Sequence, residues 1–89
     1  MATQNLERQV EQLDAPMDRP VERLDVREMG PPAPLKETLE TLVDLEEQTL
    51  LLQVNDRAPQ YLYPKLDSRG YEYDTSETDE GVLTAIWRP

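Results

Sequence analysis

The chain has 89 residues, 37% of them hydrophobic, and its 19 acidic against 9 basic side chains give a net charge of −10. A chain this short makes one domain that buries roughly two-thirds of its unfolded surface, so it holds a single modest core. It contains neither cysteine nor histidine, which excludes disulfides, thiol catalysis, thiolate metal sites and the commonest neutral-pH base.

Nucleic-acid affinity comes mainly from phosphate neutralisation by lysine and arginine, and Lys36 and Lys65 are the only lysines here. The balance argues against a DNA, RNA or anionic-membrane partner. No apolar run approaches the roughly 20 residues of a membrane helix, and the N-terminus is too polar for a secretory signal, so a soluble, cytoplasmic protein is expected. Dense like charge is tolerable where salt shortens the screening length to about 3 Å at 1 M, so the acidity also points to a salt-rich cytoplasm and to unfolding at low salt.

In chain order, Met1 to Pro20 reads as a flexible or partly helical arm, with a domain over 21–89. Leu6, Val10 and Leu13 share one helical face, consistent with a short helix over Thr3–Asp14 that the prolines at 16 and 20 end. Leu24, Val26 and Met29 then sit among charged residues as in a short strand packed on one face. After the proline-rich corner at 31–34, Leu35, Leu39, Leu42 and Val43 recur at helical spacing, opposite Lys36, Glu37, Glu40 and Asp44. Pro34 suits a first helical turn, and Glu37 and Glu40 suit the positive end of the helix dipole.

Leu50, Leu51, Leu52 and Val54 form the near-continuous run of a central strand. A helix then covers Gln60–Arg69, irregular over Pro59–Tyr63 and regular from Pro64, with Gly70 as its left-handed stop. Tyr71, Tyr73 and Thr75 alternate with polar residues, and Thr78-Asp79-Glu80-Gly81 supplies a turn back into a strand over Val82–Arg88. The fold expected is α+β, a two-layer βαβαββ sandwich with two helices on one face of a four-stranded mixed sheet whose first two strands are parallel. Its exposed hairpin edge is acidic, so the chain should be a monomer or a weak dimer.

Ligands in open sheets of this kind sit beyond the carboxyl ends of parallel strands. The loops there carry Arg27, Glu28, Asn55, Asp56 and Arg57, with Tyr61 just behind, and these six are the candidate ligand- or partner-binding residues. Two arginines near a helix start suit a small carboxylate or phosphate, although the prolines at 31, 32 and 34 offer it no amide hydrogens. Without a functional role, Arg27 would pair with Asp25 or Glu28, Asp56 would cap the second helix and Asn55 would stabilise a turn. The pairs Glu46–Glu47, Glu72–Asp74 and Asp79–Glu80 lie in turns or on a solvated strand and lack the facing geometry of catalytic carboxylates. No catalytic residue, metal site or cofactor is expected.

Leu24-Asp25-Val26 followed by Gly30-Pro31-Pro32-Ala33-Pro34 resembles the strand-to-helix entry of the TusA/SirA-like sulfur carriers, whose signature is Cys-Pro-x-Pro at the helix start. Pro32 and Pro34 match the two prolines, and Pro31 falls where those proteins carry the sulfur-bearing cysteine. Over roughly Glu22 to Arg88 the chain resembles more closely the domain-of-unknown-function 2249 family, a cysteine-free branch of that superfamily. Leu24-Asp25-Val26-Arg27-Glu28, Val54-Asn55-Asp56 and Tyr61-Leu62-Tyr63-Pro64 carry that likeness. The resemblance implies the same βαβαββ topology and an accessory role in a redox or metal-cofactor pathway, without persulfide chemistry. The function expected is therefore a non-enzymatic module that docks a protein partner. A small anionic ligand sensor, or a sulfur-relay component without its own cysteine, are the alternatives.

Overall fold

Six elements follow one another: strand β1 (Val21–Asp25), helix α1 (Ala33–Asp44), strand β2 (Leu50–Asn55), helix α2 (Leu62–Ser68), strand β3 (Glu72–Thr78) and strand β4 (Gly81–Trp87). They come from a computed structural model that describes residues 10, 11, 13–30 and 32–89. Most of the helix expected over Thr3–Asp14 lies outside the described residues, as does Pro31.

The strands form one sheet in the order β1-β2-β4-β3. β1 and β2 are parallel, with Val21 opposite Leu50 and Asp25 opposite Val54. β4 runs antiparallel to both β2 and β3. This is the mixed four-stranded α+β arrangement the sequence implies. β2 is central, and every one of its six residues is buried, as suits its near-continuous apolar run.

Successive side chains of β2 point to opposite faces, and each face has its own cover. Leu51 joins Ile86 of β4 beneath Leu42 of α1 and Leu62 and Leu66 of α2, so both helices lie on one side. Leu50, Leu52 and Val54 join Leu83 and Ala85 on the other, where Val10 and Leu13 close over them and Trp87 packs alongside. The segment carrying Val10 and Leu13 is tied down by polar contacts as well. The Asp14 amide donates to the Asp74 carboxylate at 2.9 Å, and Arg19 Nη1 donates to the Arg88 carbonyl at 2.6 Å.

Four local details depart from the sequence reading. Val43 is 68% exposed, and Thr38 is buried in the place it was expected to fill. The inward stripe of α1 is therefore Leu35, Thr38, Leu39 and Leu42. No acidic residue lies in its first turn, because the helix begins at Ala33 and leaves Glu37 and Glu40 too far along to meet the dipole. Met29 is exposed in the loop after β1 instead of packing with Leu24 and Val26. Finally, α2 begins at Leu62, two residues ahead of Pro64, which is accommodated in the first turn, where its missing amide hydrogen has no helical partner to lose.

Gly70 ends α2 with φ +79°. Its amide donates to the Asp67 carbonyl at 3.2 Å and that of Tyr71 to the Leu66 carbonyl at 3.0 Å, the paired bonds of a Schellman stop. On the helix-facing side of β3, Tyr73 stacks on Tyr63 of α2 with ring centroids 5.1 Å apart. The Tyr63 hydroxyl lies 2.7 Å from that of Thr75. Burial and donation to the Asp67 carboxylate both push the Tyr73 phenol above its ordinary range.

Candidate functional site

Because β1 and β2 are parallel and α1 and α2 lie on the same face, the loops leaving the two strands emerge side by side at their carboxyl ends. Between them, and under the first turns of both helices, is a cleft of about 840 Å³, within the usual 300–1,000 Å³ range of ligand sites. All six residues anticipated from the sequence line it: Arg27, Glu28, Asn55, Asp56, Arg57 and Tyr61.

Their roles within it differ. Arg27 is engaged through all three side-chain nitrogens. Its Nε and Nη2 donate to the two oxygens of Asp25 at 3.0 and 2.6 Å, and its Nη1 donates to the Glu80 carbonyl at 2.9 Å. The Arg27 amide also donates to the Asp25 carboxylate at 3.0 Å. These bonds, the side-chain pair foremost, hold the Asp25 carboxyl at about 2, against a partial opposing push from burial, and raise the Arg27 guanidinium above its usual range. Arg27 thus straps the end of β1 to the β3–β4 turn. Beside it Gly81, whose φ is +129°, lies close against the end of β2, since a methyl group there would collide with the Asn55 carbonyl oxygen.

Asn55 is buried at the end of β2, and its side-chain oxygen accepts the Asp56 amide at 2.8 Å, stabilising the turn as anticipated. Asp56 caps nothing: the residue ahead of α2 is Tyr61, and no side-chain hydrogen bond caps that helix. Arg57 Nε stands 3.6 Å from the Asp56 carboxylate, with its side chain 83% exposed. Arg27 is thus held by an acid and a backbone carbonyl, whereas Arg57 extends largely into solvent beside Asp56. Tyr61 is 82% exposed at the mouth, with Met29 also exposed, while Glu28 lies on the solvent side. The walls are apolar, built from Pro32, Pro34, Leu35, Pro59 and Leu62.

The sequence reading missed Gln53. It lies in β2 on the helix-facing side, is fully buried, lines the cleft, and donates from Nε2 to the Thr38 hydroxyl at 2.8 Å. The signal was present. A glutamine inside the run Leu-Leu-Leu-Gln-Val, on a strand that must be buried on both faces, needs a polar partner, and Thr38 at helical spacing from Leu35 and Leu42 supplies it.

Among the described residues no group of three or more acidic side chains is placed to hold a metal ion, and no helix is long and apolar enough to cross a membrane. A family model described as "Uncharacterized conserved protein (DUF2249)" matches residues 23–88, close to the extent of the resemblance read from the motifs. No curated protein and no solved structure matches the chain.

Proposed function

We propose, from the premise that the chain belongs to the DUF2249 family of uncharacterised conserved proteins, that it is a non-catalytic binding module which docks a protein partner by taking one of its segments into the cleft beside α1 and α2. The observation that carries this is the make-up of the cleft: apolar walls, an exposed tyrosine and methionine at the mouth, and an Arg27 already bonded to Asp25. Tyr and Met are enriched in the contact patches of protein interfaces. The net charge of −10 sets the partner's chemistry: the segment carries lysine or arginine around an apolar anchor, and opposite charge speeds its encounter. The scaffold, in our reading, is that of the TusA/SirA-like sulfur carriers kept for recognition after loss of the reactive thiol, working in a salt-rich cytoplasm. Support comes from the strand, proline corner and helix order of β1 and α1, and from the absence of cysteine.

Photo-crosslinking tests the docking directly. A benzophenone amino acid replaces Tyr61 in one variant and Val43, exposed on α1, in another. Position 61 should capture a defined protein, competed away by unmodified chain, and position 43 should not. The captured protein, once purified, should bind in a fixed ratio and shift the amide signals of Asn55 to Ala58 and of Gln60 and Tyr61. Equal capture at both positions, or a purified partner that leaves those signals unmoved, would overturn the assignment.

A further inference from the structure

Where β2 passes beneath the start of α1, the hydrogen bonds run in one direction. The Thr38 hydroxyl gives its proton to the Pro34 carbonyl oxygen at 2.7 Å, so toward Gln53 it can only accept. The atom of Gln53 facing it must therefore be the Nε2 donor, 2.8 Å away. That fixes the orientation of the amide and leaves Oε1 as the remaining acceptor. Among the described residues it is the one buried side-chain polar atom with no partner, in a residue with no exposed surface. Such atoms are rare because a carbonyl cut off from water and left unbonded costs stability. Gln53 lines the cleft and Thr38 does not, and because Oε1 itself is closed off from water, a donor in the cleft meets it as the covering side chains part.

We propose that Gln53 Oε1 is the anchor of the cleft and accepts the indole N–H of a tryptophan carried by the docking segment; this rests on the partner-docking reading above. A carboxylate is the wrong occupant, because it has no proton to give and would set one acceptor against another, and a phosphate would bury its charge against apolar walls. A lysine ammonium would have to bury its charge against proline and leucine walls. A phenol or carboxamide brings acceptor lone pairs of its own, and the neighbouring hydroxyl proton is already spent on Pro34. The indole N–H is neutral and donates only. The flat faces of Pro32, Pro34 and Pro59 and the side chains of Leu35 and Leu62 suit its ring, and Met29 offers sulfur at the rim.

The test uses the full chain, isotope-labelled, in high salt, titrated with indole and with benzothiophene, a near-isostere that lacks the N–H. Indole should shift the Gln53 side-chain NH₂ and the Asn55 and Leu62 amides, and bind at least about ten-fold more tightly than benzothiophene. Gln53→Met should make the two probes equal, and Thr38→Val, which frees the amide to turn, should narrow the gap. Equal binding to the unsubstituted chain, discrimination that survives in Gln53→Met, or a trapped water that stays on Oε1 throughout would each overturn the anchor. Because the probes report cleft chemistry alone, indole preference without crosslinking at position 61 would sink the protein partner while keeping the donor site. Crosslinking without indole preference would do the reverse.

Discussion

Gly81→Ala should be among the most damaging single-methyl additions this domain can receive. Gly81 opens β4 with φ +129°, a backbone conformation that side-chain-bearing residues rarely adopt, and forcing alanine into such a region costs on the order of 1–3 kcal/mol. The new Cβ would also be driven into the Asn55 carbonyl oxygen. That oxygen cannot easily retreat, because Asn55 is paired with Val82 on the central strand and buried. Overpacking against rigid backbone adds about 1–3 kcal/mol, for a total near 4 kcal/mol. A domain of this length is worth only about 4–13 kcal/mol in all. With a urea slope of about 1–1.5 kcal/mol per molar, the midpoint should fall by roughly 3 M, or the variant should not fold. Gly70→Ala is the control: φ is +79° there too, but nothing lies within 4 Å of the added Cβ, so its cost is about 1 kcal/mol. Both variants are to be melted in urea at one fixed high salt concentration. A Gly81→Ala loss within 1 kcal/mol of the Gly70→Ala loss would refute the packing of the turn against β2.

Asp25 gives a pH signature. Its folded value of about 2 lies below the ordinary 3.8, so its contribution is present above about pH 4 and lost as pH falls toward 2. Full linkage would be worth about 2.5 kcal/mol, but the side chain is 34% exposed and screened, which reduces the expectation to about 1 kcal/mol. Between pH 5 and pH 2 the parent should lose that much more stability than Asp25→Asn, and parallel curves would remove the strap to Arg27 from the account. Leu13→Ala should cost about 2 kcal/mol, since Leu13 is only 6% exposed over Leu52 and its neighbours. A neutral result in chemical denaturation would mean that the segment does not cover that face in solution. Val43→Lys, at 68% exposure, should change stability by no more than about 0.5 kcal/mol, whereas a core position would lose several times that. Raising potassium chloride should raise the urea midpoint steadily, because ten net negative charges repel one another, and a flat salt response would rule out the salt-rich setting.

The elements that were legible in the sequence are those whose patterns depend on a single neighbour. The near-continuous apolar run of β2 announced a central strand with neighbours on both edges, and the proline corner and Gly70 marked where α1 begins and α2 ends. What covered the second face was not legible. Val10 and Leu13 look like two of the three residues on one helical face of a polar arm, and only the strand opposite shows that they fit. Val43 and Thr38 were exchanged for a related reason. Helical spacing admits Val43 to the stripe, but Thr38 is drawn inward by a glutamine partner that lies 15 positions along the chain. The six candidate residues were found from the rule that parallel strands bind at their carboxyl ends, which needs only topology. Arg27's engagement could not be read in the same way, because its third bond goes to the carbonyl of Glu80, 53 residues on.

The cover that Val10 and Leu13 provide separates two boundaries that are easily taken to be the same. The stretch that matches the family begins at residue 23, yet the underside of the sheet is shielded from water by side chains that precede it. A fragment trimmed to the shared stretch would keep both helices and present a bare hydrocarbon floor of Leu50, Leu52, Val54 and Leu83 to solvent, an invitation to self-association. What is inherited in common and what must be cut out to obtain a well-behaved molecule are here different lengths of the same chain.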